Sequence, residues 1–467
     1  MPSRRASCPT YVRFSELDGR SVGVWGAGRE IRSLAAQLAR RVPSARIVVV
    51  AADEALDPTV VAELGDPRVV RAPEAAAALG ACDVVVRSPG VSIYRDELRA
   101  LRERGVPVTT ATGLWLAERG GAGVIGVTGT KGKSTTAGLI HHLARAAGGP
   151  AELAGNIGVP ALDLLDRPPG ELAVVELSSY QIADLEVGPE VVAITNLYPE
   201  HTDWHGSDAA YRADKLRILG LPGVRSSVLN ARDPALAAAA RTAPGPVFYG
   251  GPDGWDATPE GISYRGGPPA VRAGELPLRG EHNALNLCAA LTALGAAGVE
   301  APPLPAGLAG FAALPHRLEV VADADGVIWV DDSISTTPES TLAALASFAD
   351  RDVVLLAGGH DRGQDYAALA RELAARSAVV IGLPATGGRL VEAARAAGLS
   401  GHRTLEAVDL PAAVALARGL AGSGAAVLLS PAAPSYNAYR NFEDRGDHFR
   451  SLLEPTLRLG DADRLGP

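Results

Sequence analysis

The sequence alternates between short runs rich in β-branched residues and longer alanine-rich stretches, and this alternation constrains the fold more than any other feature. Runs that are apolar along their whole length are typical of strands buried on both faces of a sheet. Strand followed by helix, repeated along a chain, builds a mainly parallel sheet. The sequence therefore predicts the α/β class, with strands in SVGVWGAG, ARIVVVAA, CDVVVRSPG, GVIGVTGT, ELAVVELSS, VVAITNL, SSVLNA, GVIWVDDS, DVVLLAGG, AVVIGL and AAVLLSPAA.

Two segments rich in glycine or proline predict the boundaries between domains. Residues 118–123 read ERGGAG just before a new strand, and residues 301–317 read APPLPAGLAGFAALPHR. A chain of 467 residues has the length of two to four domains. The tract at 250–280 predicts short antiparallel strands within the central part of the chain. We predict three domains, residues 1–119, 120–314 and 315–467.

Charge and cysteine content argue against several classes of protein. A net charge of −9 offers no basic surface for nucleic acid. No segment has the run of about 18 apolar residues that spans a membrane, and the N-terminal segment has no apolar signal-peptide core. The three cysteines, Cys8, Cys82 and Cys288, lack the spacing of a disulfide framework or a zinc site. We therefore expect a cytoplasmic protein that binds neither nucleic acid nor a membrane, and we predict a monomer, which these features do not themselves establish.

Lysine is almost absent from this chain. Of its 44 Lys and Arg residues only Lys131, Lys133 and Lys215 are lysine, and the other 41 are arginine. A lysine amine can lose its proton, whereas a guanidinium stays charged. A lysine kept in such a chain therefore predicts chemistry that arginine cannot perform.

The segment GVIGVTGTKGKSTTAGLI predicts a nucleotide phosphate site. An apolar strand leads into a glycine loop and then into a helix, so that backbone N–H groups can surround phosphate oxygens. In such loops a lysine neutralises the outer phosphates and a hydroxyl binds magnesium. Those residues are Gly129, Gly132, Lys133 and Ser134 here. Val127 stands where the first glycine of GxxxxGK[ST] belongs, and an ordinary strand-to-helix turn remains the alternative.

Polar side chains follow the next apolar strands. Glu176 ends one strand, Glu200 and His201 follow another, and Lys215 comes soon after. Carboxylates and imidazoles at strand ends beside a phosphate loop are where magnesium ligands belong in a doubly wound sheet. Taken singly, Glu176 is better interpreted as a helix cap and His201 as a core histidine hydrogen-bonded to its neighbours. Together with the phosphate loop they predict a metal site.

Eight motifs follow one another along the chain: GTKGKSTT, GNIGVPALDLL, ELSSYQI, EHTDWHG, YRADKLRI, EHNALNLCAAL, LPHRLEVV and DDSISTTPEST. In this order they resemble the Mur ligases, and within them the type that adds glutamate to UDP-N-acetylmuramoyl-L-alanine. The resemblance extends from about residue 20 to residue 453. It implies a Rossmann-like UDP-binding domain, a central P-loop ATPase-type domain and a Rossmann-like C-terminal domain that binds glutamate.

The resemblance also implies the cofactors and the residues around them. ATP would bind at Gly129, Thr130, Lys131, Gly132, Lys133, Ser134, Thr135, Asn286, Arg317 and Asp332. Two Mg²⁺ ions would bind at Ser134, Glu176, His201 and Lys215. The catalytic residues would be Lys133, His201 and Lys215. Arg317 would bring positive charge from the third domain to the phosphates.

Among the Mur ligases, the lysine that matches Lys215 reacts with CO2 to form a carbamate that helps to hold magnesium. Only an amine that can lose its proton does this, which would explain why arginine has not replaced this lysine. A solvated helix lysine is the alternative, and it leaves the retention unexplained.

The remaining implied residues bind the sugar nucleotide and the amino acid. The UDP-sugar would bind at Trp25, Gly26, Ala27, Gly28, Ser88, Pro89, Gly90, Asn156 and Ser178. Read alone, VGVWGAGRE is a partial dinucleotide fingerprint, since Ser33 stands where a later glycine might be. Glutamate would bind at Arg362, Ser435 and Phe442.

The implied reaction is phosphoryl transfer followed by aminolysis. The alanyl carboxylate attacks the γ-phosphate of ATP to give an acyl phosphate, and the metals with Lys133 neutralise the charge. The glutamate amine then attacks the activated carbonyl, giving an amide, ADP and phosphate. His201 is expected to help remove the proton from that amine.

The third domain departs from the pattern of enzymes that add D-glutamate. Those typically show a DSKATN-like stretch, whereas this chain reads DDSISTT, with Ile334 in place of the lysine and Thr337 in place of the asparagine. Arg362 stands where a second lysine is expected, and its planar fork grips a carboxylate differently. These departures resemble the branch that attaches L-glutamate and leaves inversion to a separate epimerase. We predict L-glutamate, with D-glutamate as the alternative.

Three other classes of protein are alternatives to this assignment. A nicotinamide-dependent oxidoreductase built on VGVWGAG would need neither Lys133 nor Lys215. A regulatory protein that binds nucleotides without ligation would not need the full set of metal ligands. Folate-polyglutamating ligases share the phosphate loop, but the α/β domain ahead of it fits a UDP-sugar better.

Overall fold

The computed structural model describes most of the chain, and the chain forms two compact units, Met1–Phe311 and Ala312–Pro467. None of the helices in this described part is both long and apolar enough to cross a membrane. The described residues are 11–52, 56, 58–168, 170–198, 202–278, 280–311, 315–324, 326–361 and 363–462. Within these ranges, only the backbone is described at residues 72, 73, 202, 203, 339 and 454–462.

The first unit begins with a five-stranded parallel sheet. Its strands are β1 (Ser21–Trp25), β2 (Arg46–Ala51), β3 (Arg68–Val70), β4 (Val84–Arg87) and β5 (Val108–Thr109), in the order β3-β2-β1-β4-β5. Its helices are α1 (Arg29–Arg41), α2 (Pro58–Glu63), α3 (Ala72–Leu79), α4 (Asp96–Glu103) and α5 (Ala111–Arg119). The strand order reverses between β1 and β4, so the loops after these two strands meet at a crevice. Gly26 is needed there, because its φ is 88° and a Cβ would lie 2.6 Å from Ser88 Oγ.

A second parallel sheet follows in the same unit, in the order β11-β10-β9-β6-β8-β7. Its strands are β6 (Val124–Thr128), β7 (Ala151–Gly155), β8 (Leu172–Glu176), β9 (Val191–Ile194), β10 (Ser226–Asn230) and β11 (Pro246–Tyr249). The helices are α6 (Lys133–Ala146), α7 (Ser179–Ile182), α8 (Thr202–His205), α9 (Asp208–Leu216) and α10 (Pro234–Ala239). Because the chain order reverses at β6, the loop after β6 lies at the switch point where ligands bind in such sheets.

A small antiparallel sheet completes the first unit. It consists of β12 (Trp255–Thr258), β13 (Gly261–Tyr264) and β14 (Pro269–Arg272), as the turn-rich sequence predicts. The helix that follows, α11 (Glu281–Ala296), is apolar on most of its surface and is buried. Its Leu287 and Leu291 share a core with Ile140 and Leu143 of α6.

The second unit contains one six-stranded sheet in the order β15-β16-β20-β17-β18-β19, antiparallel only at β15. Its strands are β15 (Glu319–Ala324), β16 (Val327–Asp331), β17 (Val353–Ala357), β18 (Val379–Gly382), β19 (Thr404–Glu406) and β20 (Ala426–Leu429). Its helices are α12 (Pro338–Ala346), α13 (Ala367–Ala375), α14 (Gly387–Ala396), α15 (Leu410–Leu420) and α16 (Phe442–Ala462). The α/β prediction is confirmed.

A buried carboxyl group joins the two parallel sheets of the first unit. Glu30 lies in the first turn of α1 and is buried. Its oxygens accept hydrogen bonds from Gln181 Nε2 of α7 at 2.6 Å and from Thr112 Oγ1 of α5 at 3.3 Å. Burial raises the pKa of Glu30.

Replacing Glu30 with glutamine is expected to stabilise the protein at alkaline pH. A raised pKa means that the folded state holds the proton more tightly than the unfolded state. The contribution of Glu30 to stability is therefore fully present below its ordinary pKa of 4.5 and is lost as the pH rises through the raised pKa. Glutamine keeps an acceptor for Gln181 and cannot ionise. We expect the Tm of E30Q in thermal unfolding to exceed that of the wild type by a few degrees at pH 8.

The control for this experiment is E63Q, because Glu63 forms an exposed ion pair with Arg32. This variant should leave the Tm within about a degree of the wild type, since exposed pairs contribute little. The difference between E30Q and the wild type should vanish as the pH falls toward 4.5. A difference that is constant from pH 5 to pH 8 would contradict the role of ionisation.

Candidate active site

The loop between β6 and α6 has the backbone of an anion site. Gly129 and Gly132 have φ angles of 144° and 82°. A Cβ at Gly129 would overlap Thr195, and a Cβ at Gly132 would overlap Asn286, so both positions require glycine. The helix α6 begins directly after the loop, at Lys133. The N–H groups of its first turn and its dipole favour a negatively charged group at this end.

Side chains that follow β9 hold this loop in place. Asn196 accepts a hydrogen bond from Lys131 N through Oδ1 at 2.8 Å, and Thr195 Oγ1 donates to Lys131 O at 2.6 Å. Thr130 Oγ1 lies 2.6 Å from the hydroxyl of Tyr211. Lys133 Nζ donates to Thr130 O at 2.9 Å, so its ammonium group lies at the loop. These hydrogen bonds therefore brace the loop between β6 and α6.

A buried carboxylate lies on the strand next to β6. Glu176 ends β8, where it pairs with Val127 of β6. Its Oε1 accepts a hydrogen bond from Asn156 Nδ2 at 2.8 Å, but its Oε2 is buried without a hydrogen-bond partner among the described residues. Such an oxygen is costly to bury unless a cation or water binds it. This carboxylate and the hydroxyl of Ser134, in the first turn of α6, are the hard oxygen donors that magnesium prefers.

Lys215 is buried beside the same loop. It lies in α9, and its side chain is almost inaccessible to solvent. Its Nζ donates to Gly129 O at 2.8 Å and to Thr128 Oγ1 at 3.4 Å, and it lies 5.0 Å from the centre of the Tyr211 ring. The amine of this rare lysine is thus within reach of the phosphate loop.

One cavity brings together residues from five separate segments. It has a volume of about 350 Å³, and residues of the phosphate loop, of α9 and of the predicted UDP-sugar site line it. The predicted site residues that line it are Pro89, Gly90, Lys133, Asn156, Ser178 and Lys215. A ligand in this cavity would contact the Lys133 ammonium and the loop after β4 at once.

The other predicted UDP-sugar residues lie at the crevice of the first sheet. Trp25 ends β1, and the Arg95 guanidinium lies 4.6 Å from the centre of its ring. Gly26, Ala27 and Gly28 lead from this strand into α1. The first residue of α1, Arg29, donates from Nη2 to Gly155 O at 2.8 Å and to Asn156 O at 3.2 Å. The two loops are therefore linked by hydrogen bonds.

The second unit places its predicted residues at the carboxyl ends of β16 and β20. Asp332 follows β16, and its carboxylate accepts hydrogen bonds from Ser430 Oγ at 2.6 Å and Leu318 N at 3.2 Å. Burial raises the pKa of Asp332 to about 6. Arg317 precedes Leu318, and its charge acts against that increase. The carboxylate and the guanidinium therefore belong to one electrostatic cluster.

A buried arginine of α16 joins this helix to the segments that follow β16 and β20 in the second unit. Arg445 donates to Ser333 O at 2.9 Å and to Ala433 O at 3.2 Å. Burial lowers its pKa to about 10, so it stays charged at neutral pH. Two of the predicted glutamate-binding residues lie on the segments that it joins, since Ser435 comes two residues after Ala433 and Phe442 begins α16.

Comparisons with known proteins agree with this geometry. Residues 127–294 match the family model described as Mur ligase middle domain, and residues 316–433 match the one described as Mur ligase, glutamate ligase domain. A protein of Xanthomonas campestris pv. campestris named UDP-N-acetylmuramoyl-L-alanine--L-glutamate ligase is 43% identical over 460 residues, covering 94% of this chain and 96% of that protein.

The chain belongs to the Mur ligase family. A Micromonospora protein of the same name is 44% identical, covering 95% of this chain and 99% of that protein. Among solved structures, the UDP-N-acetylmuramate-alanine ligase of Thermotoga maritima shares the fold with a TM-score of 0.58 at 17% identity, covering 93% of this chain and 99% of that one. As a Mur ligase, the protein is an ATP-dependent ligase that uses Mg²⁺.

The Mur ligase site could be only partly read from the sequence. Two predicted residues, His201 and Arg362, lie outside the described residues. Asn286 packs under Gly132 through its side chain, and Thr135 is buried in the first turn of α6. Sequence reasoning missed Asn196, although an asparagine directly after a buried strand is a signal for such a role. It also missed the buried arginines at 87 and 445, which have no local signal.

Proposed function

We propose that this Mur ligase joins L-glutamate to UDP-N-acetylmuramoyl-L-alanine, with conversion of ATP to ADP and phosphate, in the synthesis of peptidoglycan precursors. The single observation that carries the proposal is the cavity in which Lys133 and Lys215 face Asn156, Ser178 and Gly90. A sugar nucleotide in the crevice of the first sheet can thus present its free carboxylate to a nucleotide on the phosphate loop. The relatives with this name support the same substrates.

The first step is attack of the alanyl carboxylate on the γ-phosphate of ATP. An oxygen–phosphorus bond forms to the carboxylate, and the bond to the β-phosphate oxygen breaks, so that ADP leaves. Lys133 and the N–H groups at the start of α6 neutralise the charge on the phosphate oxygens. Ser134 and Glu176 would hold a magnesium ion that supplies further positive charge there. Thr130, Lys131, Thr135, Asn286, Arg317 and Asp332 complete the proposed ATP contacts.

The second step is attack of the glutamate amine on the acyl phosphate. A carbon–nitrogen bond forms, phosphate leaves with the electrons of the carbon–oxygen bond, and the amine loses a proton. His201 is our proposed acceptor of that proton. Arg362, Ser435 and Phe442 are the proposed residues around glutamate, with Arg362 paired to a carboxylate.

We assign Lys215 a carbamate as part of this function. The neutral amine adds to CO2 and releases one proton, and the product carries one negative charge. The carbamate nitrogen keeps one N–H, which can still donate to Gly129 O, the partner of the amine at 2.8 Å. Its two oxygens would hold the second magnesium ion together with His201.

The choice of L-glutamate follows from the second unit. Ile334 has no group that can pair with a carboxylate, and its backbone N–H donates to His316 O at 3.1 Å. Selectivity between enantiomers depends on a few such contacts. If the L-isomer is added, an epimerase must act on the product. A cytoplasmic monomer with domains at 1–119, 120–314 and 315–467 completes the proposal.

The test is ligation with each enantiomer. Purified protein is mixed with UDP-N-acetylmuramoyl-L-alanine, Mg-ATP and either L- or D-glutamate, and phosphate release is followed together with product mass. We expect product with L-glutamate and at least about tenfold less kcat/KM with D-glutamate. Preference for D-glutamate would overturn the stereochemical assignment and keep the ligase. Tight ATP binding without product from either isomer would favour a regulatory protein.

A further inference from the structure

Arg87 is a fully buried arginine to which the sequence assigns no function. It ends β4, directly before Ser88, and its side chain is 0% exposed. Its Nε and Nη2 donate to the two oxygens of Asp184 at 2.6 Å and 2.5 Å. A buried charge is retained only when it is paired and hydrogen-bonded, and this bidentate pair meets that condition.

The rest of the guanidinium holds the loop that follows β4. Nη1 donates to Ser88 O at 3.3 Å, Pro89 O at 3.1 Å and Val91 O at 3.0 Å. Nη2 also donates to Tyr180 O at 2.6 Å, next to the segment that carries Ser178. One side chain therefore fixes the loop of the first sheet relative to α7 of the second.

This arrangement has a consequence for the N–H group of Gly90. In a planar trans peptide the carbonyl and the N–H point in opposite directions. Because Arg87 draws the carbonyl of Pro89 toward itself, the N–H of Gly90 points away from Arg87. Within the described chain that N–H has no hydrogen-bond acceptor, and Gly90 lines the cavity. It can therefore donate to an acceptor oxygen of a ligand.

Trp204 holds the same loop from another side. Its Nε1 donates to Gly90 O at 3.2 Å, and its carbonyl accepts a hydrogen bond from Ser92 Oγ at 3.1 Å. Its ring stacks on Tyr180 with 4.6 Å between the ring centres, and the Arg87 guanidinium lies 5.8 Å from it. Arg87 and Trp204 therefore form one network around the loop.

We propose that Arg87 is a positioning residue that sets the backbone of residues 88–91 to receive the UDP-sugar. It does not touch the ligand, and it acts by aiming the Gly90 N–H and by fixing the loop relative to Ser178. The inference rests on the proposed function, because it takes the ligand of this loop to be the sugar nucleotide. It goes beyond that function by naming the group that gives the loop its shape.

The test compares R87K with the wild type and with R102Q. Lysine keeps the charge but lacks the planar fork, so it cannot serve Asp184 and three loop carbonyls together. We expect the KM of R87K for UDP-N-acetylmuramoyl-L-alanine to rise by about tenfold to a hundredfold. Its kcat should stay within about threefold and its Kd for ATP should not change. R102Q removes a second partner of Asp184, a partly exposed arginine at 3.4 Å, and we expect this variant to keep the KM and kcat of the wild type.

The outcomes separate the inference from the proposed function. Calorimetry of the wild type with UDP-N-acetylmuramoyl-L-alanine is done first, and no binding there would mean that the proposed function fails. Binding by the wild type together with a wild-type KM in R87K would overturn the inference alone. The inference would also be overturned if R87K raised the KM and at the same time lowered kcat, the affinity for ATP and the Tm to a similar extent. Such a general effect would indicate a purely structural role for Arg87.

If R87K does not fold, a second variant tests the same inference. W204F removes the donor to Gly90 O and keeps an aromatic ring against Tyr180. We expect a KM for the sugar nucleotide raised by about threefold to tenfold with little change in kcat. An unchanged KM in W204F would contradict the role of this network.

Discussion

Replacing Lys215 with alanine is expected to lower the kcat of ligation by about a thousandfold or more. If Lys215 carries a carbamate, the variant loses an anionic ligand of magnesium. It then also loses the stabilisation of the transition state by that magnesium ion, which is worth about several kcal/mol. Lys215 Nζ lies 2.8 Å from Gly129 O, so the loss would fall beside the loop that we propose to bind the ATP phosphates. The measurement is steady-state phosphate release with saturating substrates.

K215R separates the carbamate from a simple positive charge. Arginine keeps the cation but its guanidinium does not lose a proton to react with CO2. We expect K215R to be as inactive as K215A, whereas a purely cationic role predicts that K215R retains much of the activity. A small carboxylate such as formate should partly restore K215A by occupying the vacated space, and it should not restore K215R. Full activity of K215R would refute the carbamate.

Replacing Glu176 with glutamine is expected to raise the Mg²⁺ concentration needed for half-maximal activity by about tenfold or more and to lower kcat by about a hundredfold. The design exploits the two oxygens of Glu176, of which Oε1 is bonded to Asn156 and Oε2 has no partner among the described residues. Glutamine keeps the bond to Asn156 and replaces only the free oxygen by an N–H donor. A metal ligand is thus lost while the local packing is preserved.

The thermal stability of E176Q provides a second measurement. Because E176Q removes a buried charge without a full set of partners, its Tm without magnesium should equal or exceed that of the wild type. E152Q is the control, since Glu152 lies on the adjacent strand β7 and pairs with Arg167 at 2.7 Å. We expect E152Q to keep wild-type magnesium dependence. An E176Q enzyme with normal magnesium dependence would show that Glu176 holds no metal ion.

The strands that the sequence predicts and those that it misses differ in their position within the sheets. All eleven apolar runs are strands in the structure. The strands that no run predicts, apart from the antiparallel tract, are β3, β5, β7, β11, β15 and β19, and each lies at the edge of its sheet. A central strand must be apolar along its length because both neighbours and both faces bury it. An edge strand pairs on one side only, so its sequence carries a weaker signal.

The active site likewise contains features that the sequence predicts and features that it misses. The sequence by itself determined the glycine loop between β6 and α6, because the strand, the glycines, the lysine, the hydroxyl and the start of the helix are contiguous in the chain. Only the tertiary structure decided that one oxygen of Glu176 has no partner among the described residues, that Asn196 braces the loop, and that Arg87 holds the loop after β4. These roles depend on partners that are distant in the chain, such as Arg87 and Asp184, which are 97 residues apart. Contacts between distant segments form only when the strands that carry them become neighbours, and no local pattern records them.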